Sequence, residues 1–163
     1  MRDVGVPARW GSVVVLLAAA DVTHLPWSTV SGFDRERVTR LLADDRYARS
    51  LGIELVEVSA GEIVVALDVG DDHQNFLGVG HGGMVFSLAD CAFSLASNST
   101  GEPAVAIDTH LVLTAASRVG DRLEARVREM SRGRTLGTYH VEVTRGDGRT
   151  AALFTGTVYI NRS

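Results

Sequence analysis

The stretch Gly82-Gly-Met-Val-Phe-Ser-Leu-Ala-Asp-Cys-Ala-Phe-Ser-Leu-Ala-Ser-Asn-Ser99 decides how the chain is read. It is too long for an ordinary buried strand, and its Ala and Leu content favours helix, so it predicts one long apolar helix. Downstream of Gly101 the pattern changes. Ala104–Leu113, Arg122–Met130, Thr135–Arg145 and Thr150–Asn161 read as strands, and Arg122-Leu-Glu-Ala-Arg-Val-Arg alternates as half-buried antiparallel strands do. Gly146-Asp147-Gly148 supplies a hairpin turn. Upstream, Ile53–Ser59 and Glu62–Val69 form two more strands around Ala60-Gly61, and Asp71–Gly80 is a polar loop. A first helix starts behind the N-cap Asp34, runs through Val38, Leu41, Leu42, Ala48 and Leu51, and stops at Gly52. The fold class is therefore α+β, with an antiparallel sheet of about six strands curled around one central helix. The free sheet face and edges need cover, which predicts a dimer.

The chain has 163 residues, enough for one domain. With 45% hydrophobic and 22% charged residues it has the make-up of a globular protein rather than a disordered one. The net charge is -4, every one of the 16 cations is Arg, and no basic block stands out, which excludes a nucleic-acid-coating protein. Cys91 is the single cysteine, so no internal disulfide and no multi-cysteine metal site can form. Residues 1–32 stand apart as an N-terminal extension. Arg2 and Arg9, the apolar run Val13–Ala20 and the small residues before Asp21 have the outline of a secretory signal peptide; the competing reading is a disordered extension or an early start site. Pro26 and Ser28–Gly32 read as the linker, and residues 33–163 as the domain. That apolar run is far shorter than the roughly 20 residues that span a bilayer, so no membrane partner is expected.

Asp90 is the one charged residue between Gly82 and Gly101, set among Leu88, Ala89, Cys91 and Phe93. A carboxylate in such surroundings is costly and titrates high. Ser87, Asp90, Ser94, Ser97 and Asn98 share one helix face, a stripe of small polar side chains that fits a cleft or a subunit interface. Just upstream, Asn75-Phe-Leu-Gly-Val-Gly-His-Gly-Gly leads into the helix, whose first N–H groups are free to bind a developing oxyanion, with Gly82 admitting the substrate. The histidines show no ligand spacing, so no metal is expected, and no cofactor motif is present. Cys91 reads as a small core residue, and a G-x-S-x-G elbow is lacking.

The run Asn75-x6-His81-Gly82-Gly83-x6-Asp90 resembles the hot-dog-fold acyl-CoA thioesterases, specifically the phenylacetic acid degradation (PaaI-type) group. Ala92-Phe93, Ala96-Ser97-Asn98-Ser99, Gly120-Asp121-Arg122-Leu123, Gly133-Arg134-Thr135 and Ala152-Leu153-Phe154 extend the resemblance over residues 33–161. It implies an acyl-CoA substrate with a phenylacetyl-type acyl group, and a homodimer with active sites at its interface that pairs into a homotetramer. It also implies a cytoplasmic setting, since CoA esters are intracellular. Asp90 matches the catalytic carboxylate, as base or nucleophile, and Gly82 the backbone N–H that polarises the carbonyl. Asn75, from the protomer facing Asp90, matches the side chain that holds the nucleophile, and His81 a positioning histidine. Gly83 and Ser94 fall at substrate-binding positions. From the residues themselves, Arg132 and Arg134, in the turn before Thr135, are candidates for the CoA phosphates. Ala106 replaces a hydroxyl residue common in relatives, and Thr114-Ala115-Ala116 replaces a proline-containing turn. Two other functions compete: a non-catalytic acyl-CoA binder, and a hot-dog hydratase or dehydratase.

Overall fold

The computed structural model describes residues 32–162. The extension's signal-like features therefore lie outside the described residues. Helix α1 (Arg35–Asp44) opens with the Asp34 carboxylate accepting the Arg37 N–H at 3.1 Å, and buries Val38 and Leu42. The single helix expected through Leu51 is broken at Asp45. The Asp45 N–H bonds back to Leu41 and Leu42, while its carboxylate accepts the Ala48 N–H and starts α2 (Arg46–Ser50). One aspartate thus closes one helix and caps the next.

Strands β1 (Glu54–Val58), β2 (Ile63–Asp68), β3 (Ala104–Leu113), β4 (Arg122–Arg132), β5 (Leu136–Arg145) and β6 (Thr150–Ile160) make one antiparallel sheet in the order β1-β2-β4-β5-β6-β3. All six match the expected strands to within about two residues at each end, the usual uncertainty of such boundaries. Helix α3 (Gly82–Asn98) packs on the inner face of the sheet, burying Leu88, Ala89, Ala92 and Phe93 completely. The Phe93 ring stands edge-on to Tyr139 and tilted against Phe154, each 5.5 Å between centroids. Burying a side chain of this size is worth about 2–3 kcal/mol. Gly156 is required beneath it, because a Cβ there would come within 2.8 Å of the ring. The helix ends where Asn98 reaches the first residue of β3, accepting the Ala104 N–H at 2.9 Å and donating to its carbonyl at 3.1 Å.

The two sheet edges differ. Strand β1 is short, carries a bulge between Leu55 and Glu57, and exposes Glu54 and Glu57, devices that discourage further pairing. Strand β3 is twice as long, ten residues against five, and although it too bulges between Ala106 and Asp108 it exposes apolar Val105 (65%) and Ile107 (59%). The polar loop Asp71–Gly80 contains a short 3-10 turn, Asp71–His73, and closes on itself through a Gln74–Gly80 bridge. No helix among the described residues is long and apolar enough to cross a membrane.

Candidate active site

The loop before α3 is built around one side chain. The Asn75 Oδ1 accepts the Leu77 N–H at 2.8 Å and the Val79 N–H at 3.4 Å, while the Gly78 N–H bonds the Asn75 carbonyl at 3.0 Å. Gly78 takes a φ of 72°, which favours glycine. With Oδ1 fixed, the Asn75 Nδ2 donates to no described residue. His81 is the α3 N-cap, and its Nδ1 accepts the Gly83 N–H at 2.8 Å, so the ring proton of the neutral form resides on Nε2. Gly82 is the first helical residue, and its N–H has no intrahelical acceptor. Asn75, Gly82, Val85, Leu113 and Ser117 line a cavity of about 300 Å³ at this end of the helix.

Asp90 lies two turns further on and half-buried, in a separate cavity of about 170 Å³ walled by Asp45, Tyr47, Ile53, Phe86 and Ser94. Burial first, and the Asp45 carboxylate second, push the Asp90 carboxyl above its ordinary range. No described residue donates a hydrogen bond to it. Ser94 lines the same cavity one turn later. His81 and Gly83 face a third cavity, of about 440 Å³. Tyr47 stands between the second and third cavities, its hydroxyl 3.1 Å from Ser87 Oγ, which donates to the Gly83 carbonyl. Cys91 is buried and its thiol pushed up to about 12, chiefly by burial, which leaves it inert as a nucleophile.

One chain does not bring all the expected residues together. Eight residues of α-helix separate Gly82 from Asp90 by about 12 Å along the axis. The cavity of Asn75 and Gly82 shares no lining residue with that of Asp90. Two of the polar-stripe residues are structural. Ser97 is buried and bonds the Ser94 carbonyl, and Asn98 secures β3.

The two arginines also part. Arg132 is only 11% exposed and is held by Glu102, Glu129, the Tyr139 hydroxyl and Thr100, so its guanidinium is committed within the protein. Arg134 is exposed, and lines a cleft with Tyr159, Asn161 and Arg162. Asp45, Tyr47 and Ser117 are additions that the sequence does not reveal. Only Asp45 carries a signal, as a helix-capping residue type within a helical pattern. Among the described residues no three His, Cys, Asp or Glu side chains group as a metal site.

The thioesterase superfamily model matches residues 77–152. A putative esterase of Deinococcus radiodurans is 45% identical over 113 residues, covering 69% of this chain and 77% of that one. The acyl-coenzyme A thioesterase PaaI of Escherichia coli is 35% identical over 69% of this chain and 81% of its own length. The structure of the E. coli PaaI protein, from a phenylacetic acid degradation operon, superposes with a TM-score of 0.75 over 77% of this chain and 91% of that one, at 32% identity. A hypothetical thioesterase of Streptococcus pneumoniae, solved with coenzyme A, gives a TM-score of 0.64 at 27% identity, covering 67% of this chain and 85% of that one.

Proposed function

The chain belongs to the thioesterase superfamily, with its hot-dog fold, and from that premise we propose that it hydrolyses acyl-CoA thioesters to a free acid and CoA. The observation that carries the site assignment is the pair of donors without an acceptor among the described residues, Gly82 N–H and Asn75 Nδ2, in one cavity at a helix N-terminus. The thioester oxygen binds the Gly82 N–H, where the helix dipole and the free amide stabilise the charge that forms on it. Asn75 Nδ2 holds the attacking group. Asp90, from the facing protomer, acts as base or nucleophile. Either Asp90 takes a proton from water as that water adds to the carbonyl carbon and the C–S bond breaks, or the Asp90 carboxylate itself displaces the sulfur to form an anhydride that water then hydrolyses. In both, the sulfur leaves with the electron pair and is protonated. His81 and Gly83 position the thioester end of CoA, Ser94 lies beside the attacking water, and Arg134 takes the CoA phosphates.

A second copy completes each site. The exposed apolar edge β3 is the surface on which it pairs, and dimers associate further into tetramers. The acyl group is aromatic. Tyr47, Phe86 and Ile53 give the Asp90 cavity of about 170 Å³ an apolar, aromatic wall against which a ring can stack. E. coli PaaI, similar in sequence and structure, is placed by its operon in phenylacetic acid degradation. A CoA ester substrate puts the protein in the cytoplasm.

The test is free-thiol release from aromatic and aliphatic acyl-CoAs by wild type and Asp90→Asn. Turnover on aromatic esters that falls at least about 100-fold in the variant is expected. Binding without turnover by the wild type would instead make the protein a non-catalytic binder.

A further inference from the structure

Among the described residues, one buried side-chain polar atom has no hydrogen-bond partner: Ser117 Oγ. The residue is 2% exposed. The other buried serines satisfy themselves locally, Ser97 on the Ser94 carbonyl and Ser99 on the Ala96 carbonyl. In the same loop, Thr114 gives its hydroxyl to the Thr150 carbonyl. An unpaired buried hydroxyl is costly, and native proteins keep few of them.

The place of this hydroxyl is informative. Ser117 lines the α3-end cavity with Asn75 and Gly82. Its backbone has a structural task, since the Ser117 carbonyl accepts the Gly80 N–H at 2.7 Å and holds the 114–117 loop against the turn into the helix. The side chain makes no hydrogen bond to any described residue. Its Oγ is packed so tightly on Gly80 that no Cβ could stand there, which fixes the hydroxyl two residues from the Gly82 amide.

We propose that the Ser117 hydroxyl is a further catalytic donor of this site, giving a hydrogen bond to the thioester oxygen beside the Gly82 N–H. The inference rests on the thioesterase reading above. Ser117 transfers no proton. As the nucleophile's oxygen adds to the carbonyl carbon, the C=O pair moves onto the oxygen that Gly82 N–H and Ser117 O–H both contact. When the pair returns, the C–S bond breaks and the sulfur takes its electrons. A donor that meets the oxygen chiefly once it is charged raises kcat and leaves KM nearly unchanged.

The experiment compares steady-state thiol release by wild type and Ser117→Ala, with one acyl-CoA that the wild type hydrolyses, alongside thermal melting of both. The expected result is a kcat lower by about tenfold or more, KM within about twofold, and a Tm that does not fall. A kcat within about twofold of wild type would overturn the proposal, as would a loss confined to KM. A lower Tm with unaltered kcat would make the hydroxyl a packing group and overturn it too. A wild type that hydrolyses no acyl-CoA would remove the thioesterase reading and this inference with it, whereas normal wild-type turnover with an indifferent Ser117→Ala removes the inference alone.

Discussion

Gly82→Ala separates the proposed chemistry from the fold. A Cβ at Gly82 would lie 2.9 Å from Leu113 Cδ1, the free end of a side chain that is 53% exposed. Leu113 can turn aside at a cost of order 0.5–1.5 kcal/mol. Replacing glycine by alanine inside a helix returns up to about 1 kcal/mol. The two contributions nearly cancel, and for a domain of this size a residual of about 1 kcal/mol moves Tm by only about 2–4 °C. The same methyl group, however, enters the cavity where the thioester oxygen has to reach the Gly82 N–H. Losing an oxyanion donor of this kind costs about 10²–10³ in kcat. Thermal melting and thiol release on one preparation should therefore show a folded protein with turnover depressed by that factor. Gly83→Ala loads the helix start instead, because its Cβ would come 2.9 Å from His81 Nδ1, the atom that caps the helix. Losing that cap lowers stability by about 1 kcal/mol. Activity within about threefold of wild type in a stable Gly82→Ala protein would refute the assignment of Gly82 as the carbonyl-binding group.

Two further outcomes follow from Asp90. Burial and the Asp45 carboxylate push its carboxyl above the ordinary range, and in the proposed mechanism the ionised form does the chemistry, so the acid limb of the pH–rate profile should lie above the normal carboxylate range. Asp45→Asn removes the like charge and should move that limb to lower pH; an unmoved limb would show that Asp45 does not act on Asp90. In stability the sign is opposite. The native state holds this proton more tightly than the unfolded chain, so stability falls as pH rises through the raised pKa, and Asp90→Asn should flatten that fall in pH-dependent melting. The shared site is tested by mixing inactive Asn75→Ala and Asp90→Asn chains under subunit exchange. Half of the dimers become mixed, each with one intact site, and about a quarter of wild-type activity should return. No recovery after demonstrated exchange would place the whole site within one chain.

The elements legible in the sequence were those whose pattern is enforced by burial. Helix α3 is an apolar segment too long for a strand, and β4 to β6 alternate because one sheet face meets that helix. Where local hydrogen bonding decides, pattern misleads. A helical periodicity runs through Asp45, yet its carboxylate binds the Ala48 N–H and restarts the helix. Ser97 and Asn98 share the Asp90 face by spacing, but short polar side chains turn back on nearby backbone, here the Ser94 and Ala104 groups. Arg132 is a matter of register. Strict alternation would send it outward with Arg126 and Arg128, but the bulge between Glu129 and Ser131 turns it inward, onto Tyr139 and the end of α3. The unpaired Ser117 hydroxyl leaves no trace in sequence at all, because satisfaction of a hydroxyl depends on what the fold sets beside it.

The motif's spacing itself argues for two chains. Among the described residues the Gly82 N–H and Asn75 Nδ2 are donors without a base, and Asp90 is a half-buried carboxylate without a donor, about 12 Å away along a rigid helix. A thioester carbonyl spans no such distance, and a straight helix cannot shorten it. Within one chain each half is also electrostatically incomplete. Asp90 faces the like charge of Asp45, while the helix N-terminus carries a positive end without an anion. In the proposed dimer two antiparallel copies would resolve both at once, each Asp90 meeting the other chain's N-terminal donors across the reacting carbon. The exposed edge of β3, beginning where Asn98 anchors it to the end of α3, is the surface we propose for that pairing. Assembly and catalysis in that proposal depend on each other, so a charge placed at the exposed Ile107 should abolish turnover only through loss of the dimer, read by size-exclusion chromatography, with the monomer still folded around α3.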